Sequence, residues 1–142
     1  RDVLGSRGLG DVYKRQIAEP DEIKQIEAFL KEKQKEFETD KLYMVSHEDG
    51  LAGLGIFSFA DNYAVIDDII LRNEQDVEMN HFIVQAIVNK VDYMGYRKIY
   101  CSNKRLIPYL NKFVKSDLHE YTYMADLTEY FKHSCQNQHK NN

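Results

Sequence analysis

A strand, a loop and a helix follow one another between Val65 and Gly95. Backbone N–H groups at the start of a helix bind anions such as phosphate, and a loop that leads into the helix shapes the site. Glycines usually line such a loop, because they let the anion approach the backbone and relieve strained angles. The loop from Arg72 to His81 contains no glycine. These residues therefore indicate anion chemistry without the glycines that usually accompany it.

A second candidate phosphate loop lies near the start of the chain, where Gly5, Gly8 and Gly10 form a G-x-x-G-x-G run. However, residues 1–16 resemble the translation of a transposon-type sequencing-library adaptor. We interpret this segment as non-native and exclude it from the reasoning about the fold. Its glycines are then no guide to function.

The remaining residues, 17–142, have the length of one small domain. The whole chain holds 19 basic and 23 acidic residues. Residues 1–16 contain four of the basic and two of the acidic ones, which leaves 15 minus 21, or −6. Nucleic-acid binding is not expected, because it needs a clustered basic face. No stretch has the apolar length of a membrane span, so no membrane partner is expected either.

The cysteines and histidines give no sign of a disulfide framework or a metal site. Cys101 and Cys135 show no C-x-x-C spacing, which favours a reducing cytoplasm. The histidines lack metal-ligand spacing, so no metal is expected; they are His47, His81, His119, His133 and His139.

Hydrophobic periodicity predicts the elements that position the loop. A first helix of about 18 residues begins at Pro20, the position at which proline opens helices. A period of two, with an Asp49-Gly50 hairpin signal, then predicts three antiparallel strands. They are Lys41–Ser46, Leu51–Phe59 and Tyr63–Leu71.

Beyond the loop the period changes to 3.6, which predicts a helix from about Met79 that Gly95 terminates. The rest of the chain alternates between short strands and helix and ends in a polar tail that we expect to be disordered. We predict a strand at Arg97–Cys101, a helix at Lys104–Val114, a strand at Glu120–Leu127, a terminal turn of helix within 126–133 and the tail at 134–142.

This order resembles the GNAT superfamily of N-acetyltransferases, in which a Q/R-x-x-G-x-G/A loop connects the fourth strand to a helix. Aligned without gaps from Gly95, residues 75–80 fall on that motif. The resemblance implies an α+β fold for one domain, residues 17–133: an antiparallel meander of a mixed sheet, the strand-loop-helix unit, and helices on both faces. The family's first strand should lie just before Ile17, so we expect residues 11–16 to occupy its position.

The resemblance implies that acetyl-CoA is the cofactor. Glu78 and Asn80 replace the two small residues of the motif, and a carboxylate there repels phosphate unless it points away and stabilises the helix dipole instead. The implied cofactor-binding residues are Ile69, Ile70, Leu71, Gln75, Asp76, Val77, Glu78, Met79, Asn80, His81 and Asn103.

The family's reaction implies a base for the amine proton and an acid for the leaving thiolate. Asp67 or Asp68 is the candidate base; adjacent strand residues face opposite sides, so at most one is expected in a given cleft. The alternative is that both are solvated or cap a bulge. Tyr109 is the candidate acid, although the gap-free register places Leu110 there and Pro108 alters this helix. The alternative for Tyr109 is a packed surface tyrosine.

Two functions are consistent with this pattern. One is an N-acetyltransferase with a divergent loop, which moves an acyl group from acetyl-CoA to an amine. The other is a catalytically inactive GNAT-fold binding or regulatory module. The sequence identifies neither the amine acceptor nor the oligomeric state.

Overall fold

The computed structural model describes residues 9–14, 20–38, 40–48 and 50–131, with side chains from residue 21 onward. Within these ranges, one seven-stranded mixed sheet has the strand order β1-β2-β3-β4-β5-β7-β6. The strands are β1 Leu9–Lys14, β2 Leu42–His47, β3 Leu51–Phe59, β4 Ala64–Leu71, β5 Lys98–Cys101, β6 Val114–Lys115 and β7 Tyr123–Asp126. The helices are α1 Pro20–Glu32, α2 Val77–Tyr93, a 3-10 helix Lys104–Tyr109 and a last helical turn at 127–131.

The sheet confirms the predicted meander. Strands β1 to β4 pair antiparallel in chain order, and β4 then pairs in parallel with β5 after the α2 crossover. The backbone of Leu9–Lys14 forms the first strand, so residues 11–14 lie where the resemblance expects the family's first strand. Residues 15–16 and the predicted tail at 134–142 lie outside the described residues.

Each face of the sheet carries a core and a helix, as predicted. Helix α2 covers one face, the α2 face, where Phe57, Ile66 and Ile87 belong to one buried cluster. Helix α1 covers the other, the α1 face, where Phe29, Ile56 and Ile70 belong to a second cluster. Alternate side chains of β3 and β4 point into the two clusters in turn. These two strands are therefore buried on both sides.

Close packing of α2 on β3 depends on a glycine. A Cβ atom added to Gly55 would lie 2.6 Å from Ile83 Cγ2 and 2.7 Å from Ile87 Cδ1. Gly55 therefore lets the helix approach the strand directly.

Gly95 terminates α2 as predicted. It adopts φ +93°, and its N–H donates to Asp92 O at 2.9 Å. The next residue, Tyr96, donates its N–H to Val91 O at 3.2 Å. These two bonds form a Schellman motif, in which glycine accepts the left-handed angle at little cost.

Helix α1 is shorter than predicted, because Gln34 ends it. Gln34 adopts φ +57° and donates its N–H to Lys31 O at 3.0 Å, while Lys35 N–H donates to Leu30 O at 2.9 Å. This is the same terminating motif as at Gly95, built on a residue that gives no sequence signal for it.

The predicted helix Lys104–Val114 was wrong in type and length. A 3-10 helix covers Lys104–Tyr109, and Val114 begins strand β6 instead. Pro108 has no N–H to donate and crowds the preceding turn, which disfavours a continuing α-helix.

Candidate functional site

Strands β4 and β5 run parallel and then separate. Their pairing ends where Ile66 lies opposite Cys101, whereas β4 continues to Leu71. The segment that follows Cys101 therefore borders the gap beside the second half of β4.

Two side chains of that segment reach across the gap to β4. Asn103 Nδ2 donates a hydrogen bond to Asp67 O at 3.1 Å, and Arg105 Nη2 donates one to Ile69 O at 2.6 Å. These bonds replace those that a paired strand would supply to the two carbonyls. Asn103 also caps the 3-10 helix, because its Oδ1 accepts from Arg105 N–H at 3.0 Å.

A β-bulge lies at the point where the strands separate. Ile56 of β3 pairs with Asp68, whereas the next residue, Phe57, pairs with Ile66. Asp67 is therefore an extra residue without a partner on β3. A bulge at these aspartates was one of the alternatives that the sequence analysis gave, and the structure contains a bulge there.

The bulge places both carboxylates on the α1 face. Asp67 bonds Ser58 and Lys41, and Asp68 contacts Lys35; both lysines come from the segment between α1 and β2. The expectation that at most one carboxylate faces a given side was wrong, because the extra residue interrupts the alternation on which it rested.

Asp67 is partly buried and interacts with one cation. Its Oδ2 lies 3.2 Å from Lys41 Nζ and accepts a hydrogen bond from Ser58 Oγ at 3.5 Å. Burial raises the pKa of the Asp67 carboxyl, and the charge of Lys41 offsets part of that increase. A raised pKa makes the carboxylate a stronger base than an exposed one.

Asp68 is 6% exposed and its carboxylate is surrounded by donors. Oδ1 accepts from Ile69 N–H at 2.8 Å and from Asn103 Nδ2 at 3.0 Å, and it pairs with Arg105. Oδ2 lies 3.8 Å from Lys35 Nζ. Because these groups occupy most of its acceptor positions, Asp68 holds the two sides of the gap together.

The N-terminus of α2 is capped by the chain's own carboxylate. Asp76 accepts the Met79 N–H through its side chain at 3.0 Å and the Asn80 N–H through its carbonyl at 3.3 Å. Earlier in the loop, Gln75 N–H donates to Asn73 Oδ1 and Val77 N–H to Gln75 O, both at 3.0 Å. Most loop N–H groups that an anion would need therefore already have acceptors.

A cavity of about 410 Å³ lies at the end of β4, and five of the predicted residues line it. Ile69, Ile70 and Leu71 of β4 line it, and Asn80 and Tyr109 border it from α2 and from the 3-10 helix. Asn80 is 4% exposed, and its Oδ1 has no hydrogen-bond partner within the described part of the chain. The rest of the lining is Lys33, Lys35, Glu74 and Arg105.

The other predicted cofactor residues lie elsewhere. Glu78 and His81 line a second cavity of about 430 Å³, between α2 and the residues after the 3-10 helix, and Tyr109 borders this one too. Met79 is buried, and its sulfur accepts a hydrogen bond from Ser46 Oγ at 3.1 Å. Val77 is 54% exposed. The structure thus divides the predicted set between two cavities, the loop and the core.

No protein-family model matches the chain, and no curated protein does. Solved structures do. The ribosomal-protein-S18-alanine N-acetyltransferase of Escherichia coli is 9% identical, with a TM-score of 0.57 over 82% of this chain and 93% of that one. The N-acetylglutamate synthase of Neisseria gonorrhoeae, solved with coenzyme A and N-acetylglutamate, is 15% identical, with a TM-score of 0.59 over 82% of this chain and 35% of that one.

The chain has the GNAT N-acetyltransferase fold. At these identities the likeness concerns the fold alone. It agrees with the predicted order of elements, including the strand-loop-helix unit formed by β4 and α2. Within the GNAT fold of this chain, Asn103 and Arg105 bond to the β4 carbonyls beside the gap.

The sequence did not single out the three cations of the β4 cavity. Lys33 and Lys35 follow the unpredicted end of α1, and Arg105 follows Asn103 on an element predicted as an α-helix. The adjacent basic pair Lys104-Arg105, directly after Asn103, was the one available signal.

The described residues contain no group of three or more His, Cys, Asp or Glu side chains placed to hold a metal ion. None of the described helices combines the length and apolar character needed to cross a membrane.

Proposed function

We propose that the protein is an N-acyltransferase that moves an acetyl group from acetyl-CoA to an amine, with the donor bound in the β4 cavity. The observation that carries this proposal is the convergence of Ile69, Ile70, Leu71, Asn80 and Tyr109 on one cavity. The family resemblance selected these residues independently of any geometry. The GNAT fold, and a neighbour of that fold solved with coenzyme A, support the same assignment.

The cavity suits the thioester arm of such a donor better than the loop suits its diphosphate. The arm carries amides and methylenes, for which the buried amide of Asn80 and the end of β4 that lines the cavity are suitable partners. At the α2 N-terminus, the Asp76 carboxylate accepts a backbone N–H that a diphosphate would otherwise bind. When bound, acetyl-CoA supplies an activated acyl group.

Two side chains are assigned roles in proton transfer. Asp67, whose carboxyl pKa burial raises, accepts the proton of the amine. Tyr109, at the border of the cavity, donates a proton to the departing thiolate. Asp68 and Asn103 hold β4 and the segment after β5 together through their hydrogen bond.

Calorimetry with acetyl-CoA, followed by a thiol-release assay over a panel of amines, tests this function. We expect a dissociation constant in the micromolar range, about −8 kcal/mol. Asp67→Asn and Tyr109→Phe should each lower kcat about a hundredfold and leave acetyl-CoA affinity unchanged. Tyr93→Phe, at a tyrosine that is 83% exposed, is the matched control. Absence of heat at millimolar acetyl-CoA would contradict the proposal.

A second function, a GNAT-fold binding or regulatory module without coenzyme A, is favoured by one observation. The Asp76 carboxylate caps α2 where the phosphates of the cofactor would lie, and Glu78 adds a second acid in the first turn. A module of this kind acts through contacts with another molecule and needs no proton transfer.

The Asp76→Asn variant separates the two functions. Asparagine caps helices as well as aspartate does, so the stability of the fold should be unchanged while one negative charge is removed. If the protein is an acyltransferase, we expect acetyl-CoA to bind severalfold more tightly, because a like-charge repulsion is lost. A module without coenzyme A would show no binding in either form, and equal binding in both would show that Asp76 does not face the cofactor.

A further inference from the structure

We infer that Lys33, Lys35 and Arg105 bind the phosphate groups of the donor, in place of the loop backbone. This inference rests on the proposed function and adds to it the residues that recognise the anionic part of the donor. All three cations line the β4 cavity together with the residues assigned to the thioester arm. They come from two segments on either side of it, the end of α1 and the 3-10 helix.

Two of the three cations, Lys33 and Arg105, are held in place by hydrogen bonds and ion pairs. Lys33 has a side chain that is only 16% exposed; its Nζ donates to Arg72 O at 3.1 Å and lies 3.6 Å from Glu74. Arg105 is held by Ile69 O and by the Asp68 carboxylate. A cation that is already ordered loses little side-chain entropy when a ligand binds to it.

The charge around the cavity is opposite in sign to the net charge of the chain. The lining holds three cations and one acid, Glu74, which pairs with Lys33, while Asp68 pairs with Lys35 and Arg105. Counting both acids, the group carries a formal charge of three minus two, or +1, in a chain whose net charge is −4. Such a reversal of sign attracts anions to one place on an otherwise acidic protein.

Most backbone N–H groups of the loop, which would otherwise bind the phosphates, already have acceptors. Asp76 accepts the Met79 N–H, and other loop N–H groups donate within the loop. Side-chain cations bind phosphate without this backbone geometry, lysine as a point charge and arginine through its planar fork. The phosphates of an acyl-CoA-type donor therefore bind to cations on the sides of the cavity rather than to N–H groups at the start of α2.

The test compares two donors, acetyl-CoA and S-acetylpantetheine, which has the same thioester arm and no phosphates. Calorimetry is done at low and high salt on the wild type and on Lys33→Gln, Lys35→Gln, Arg105→Gln and Arg105→Lys. Lys31→Gln is the matched control, because Lys31 lies in the last turn of α1, is exposed and does not line the cavity. Thermal melting of each variant checks that the fold is retained.

We expect each Gln variant to weaken acetyl-CoA binding by roughly fivefold to tenfold, and Lys33→Gln and Lys35→Gln to leave S-acetylpantetheine binding unchanged. Arg105→Lys should keep most of the affinity, Lys31→Gln all of it, and salt should weaken only the binding of acetyl-CoA. If the wild type transfers acetyl groups but the Gln variants bind acetyl-CoA as tightly as it does, this inference is overturned and the proposed function stands. If the wild type binds neither donor, both are overturned.

Discussion

Asp67 and Asp68 are adjacent carboxylates with different surroundings. Asp67 is paired with Lys41 and a hydroxyl, whereas Asp68 is surrounded by Arg105, Asn103, Lys35 and its neighbour's N–H. The sequence selected both residues but could not separate them, because the separation depends on a bulge and on cations brought from distant segments. These surroundings give Asp68 a structural role, and they leave Asp67 as the residue that we propose as the base.

The raised pKa of Asp67 predicts a pH dependence of stability. A carboxyl whose pKa is higher in the folded than in the unfolded chain, where it is about 3.9, contributes stability that is complete below pH 4 and is lost as pH rises through the folded pKa. Asp67→Asn removes this loss. We therefore expect the variant to gain in free energy of unfolding relative to the wild type between pH 4 and pH 7, measured by urea denaturation.

Asp61→Asn is the control for this experiment, since Asp61 is an exposed carboxylate in the turn before β4 and changes the net charge equally. Parallel pH profiles for Asp67→Asn and the wild type would show that burial does not penalise the charged form of Asp67.

At the scale of elements, the sequence predicted the ends of helices and strands where a local residue type marks them. Gly95 predicted the end of α2, because glycine adopts a positive φ at little cost. The Asp49-Gly50 pair predicted the hairpin that joins β2 and β3. Gln34 ends α1 in the same way without any such signal. Lys33 and Lys35, which the sequence did not predict as site residues, lie beside this end. The wrong length predicted for α1 therefore affected the prediction of the candidate site.

Packing of α2 against β3 predicts the effect of Gly55→Ala. The new methyl group would meet Ile83 and Ile87 at distances below 3 Å, and overpacking of this kind costs about 1–3 kcal/mol. Urea denaturation should show that loss, and Ile87→Val in the same chain should restore part of it by removing Cδ1. If the double variant is no more stable than Gly55→Ala alone, the clash does not involve Ile87.

At the scale of the molecule, the order of elements was predictable because hydrophobic period and turn residues report it directly. The meander, the crossover helix and the two-sided core all follow from patterns within β2 to α2. The gap between β4 and β5 was not predictable in detail. It depends on Asn103 and Arg105, whose contacts cross more than thirty positions of the chain.

The bulge in β4 has a consequence for changes in chain length. Ala64 and Ile66 precede it, Ile69 and Leu71 follow it, and all four belong to the core on the α2 face, although the two pairs differ in parity. Deleting one residue from a strand normally moves every side chain beyond it to the opposite face of the sheet. Deleting Asp67 would instead restore regular alternation and keep both pairs facing α2. The strand can therefore lose its candidate base without losing its core. A single codon deletion would remove the proposed proton acceptor and keep the fold.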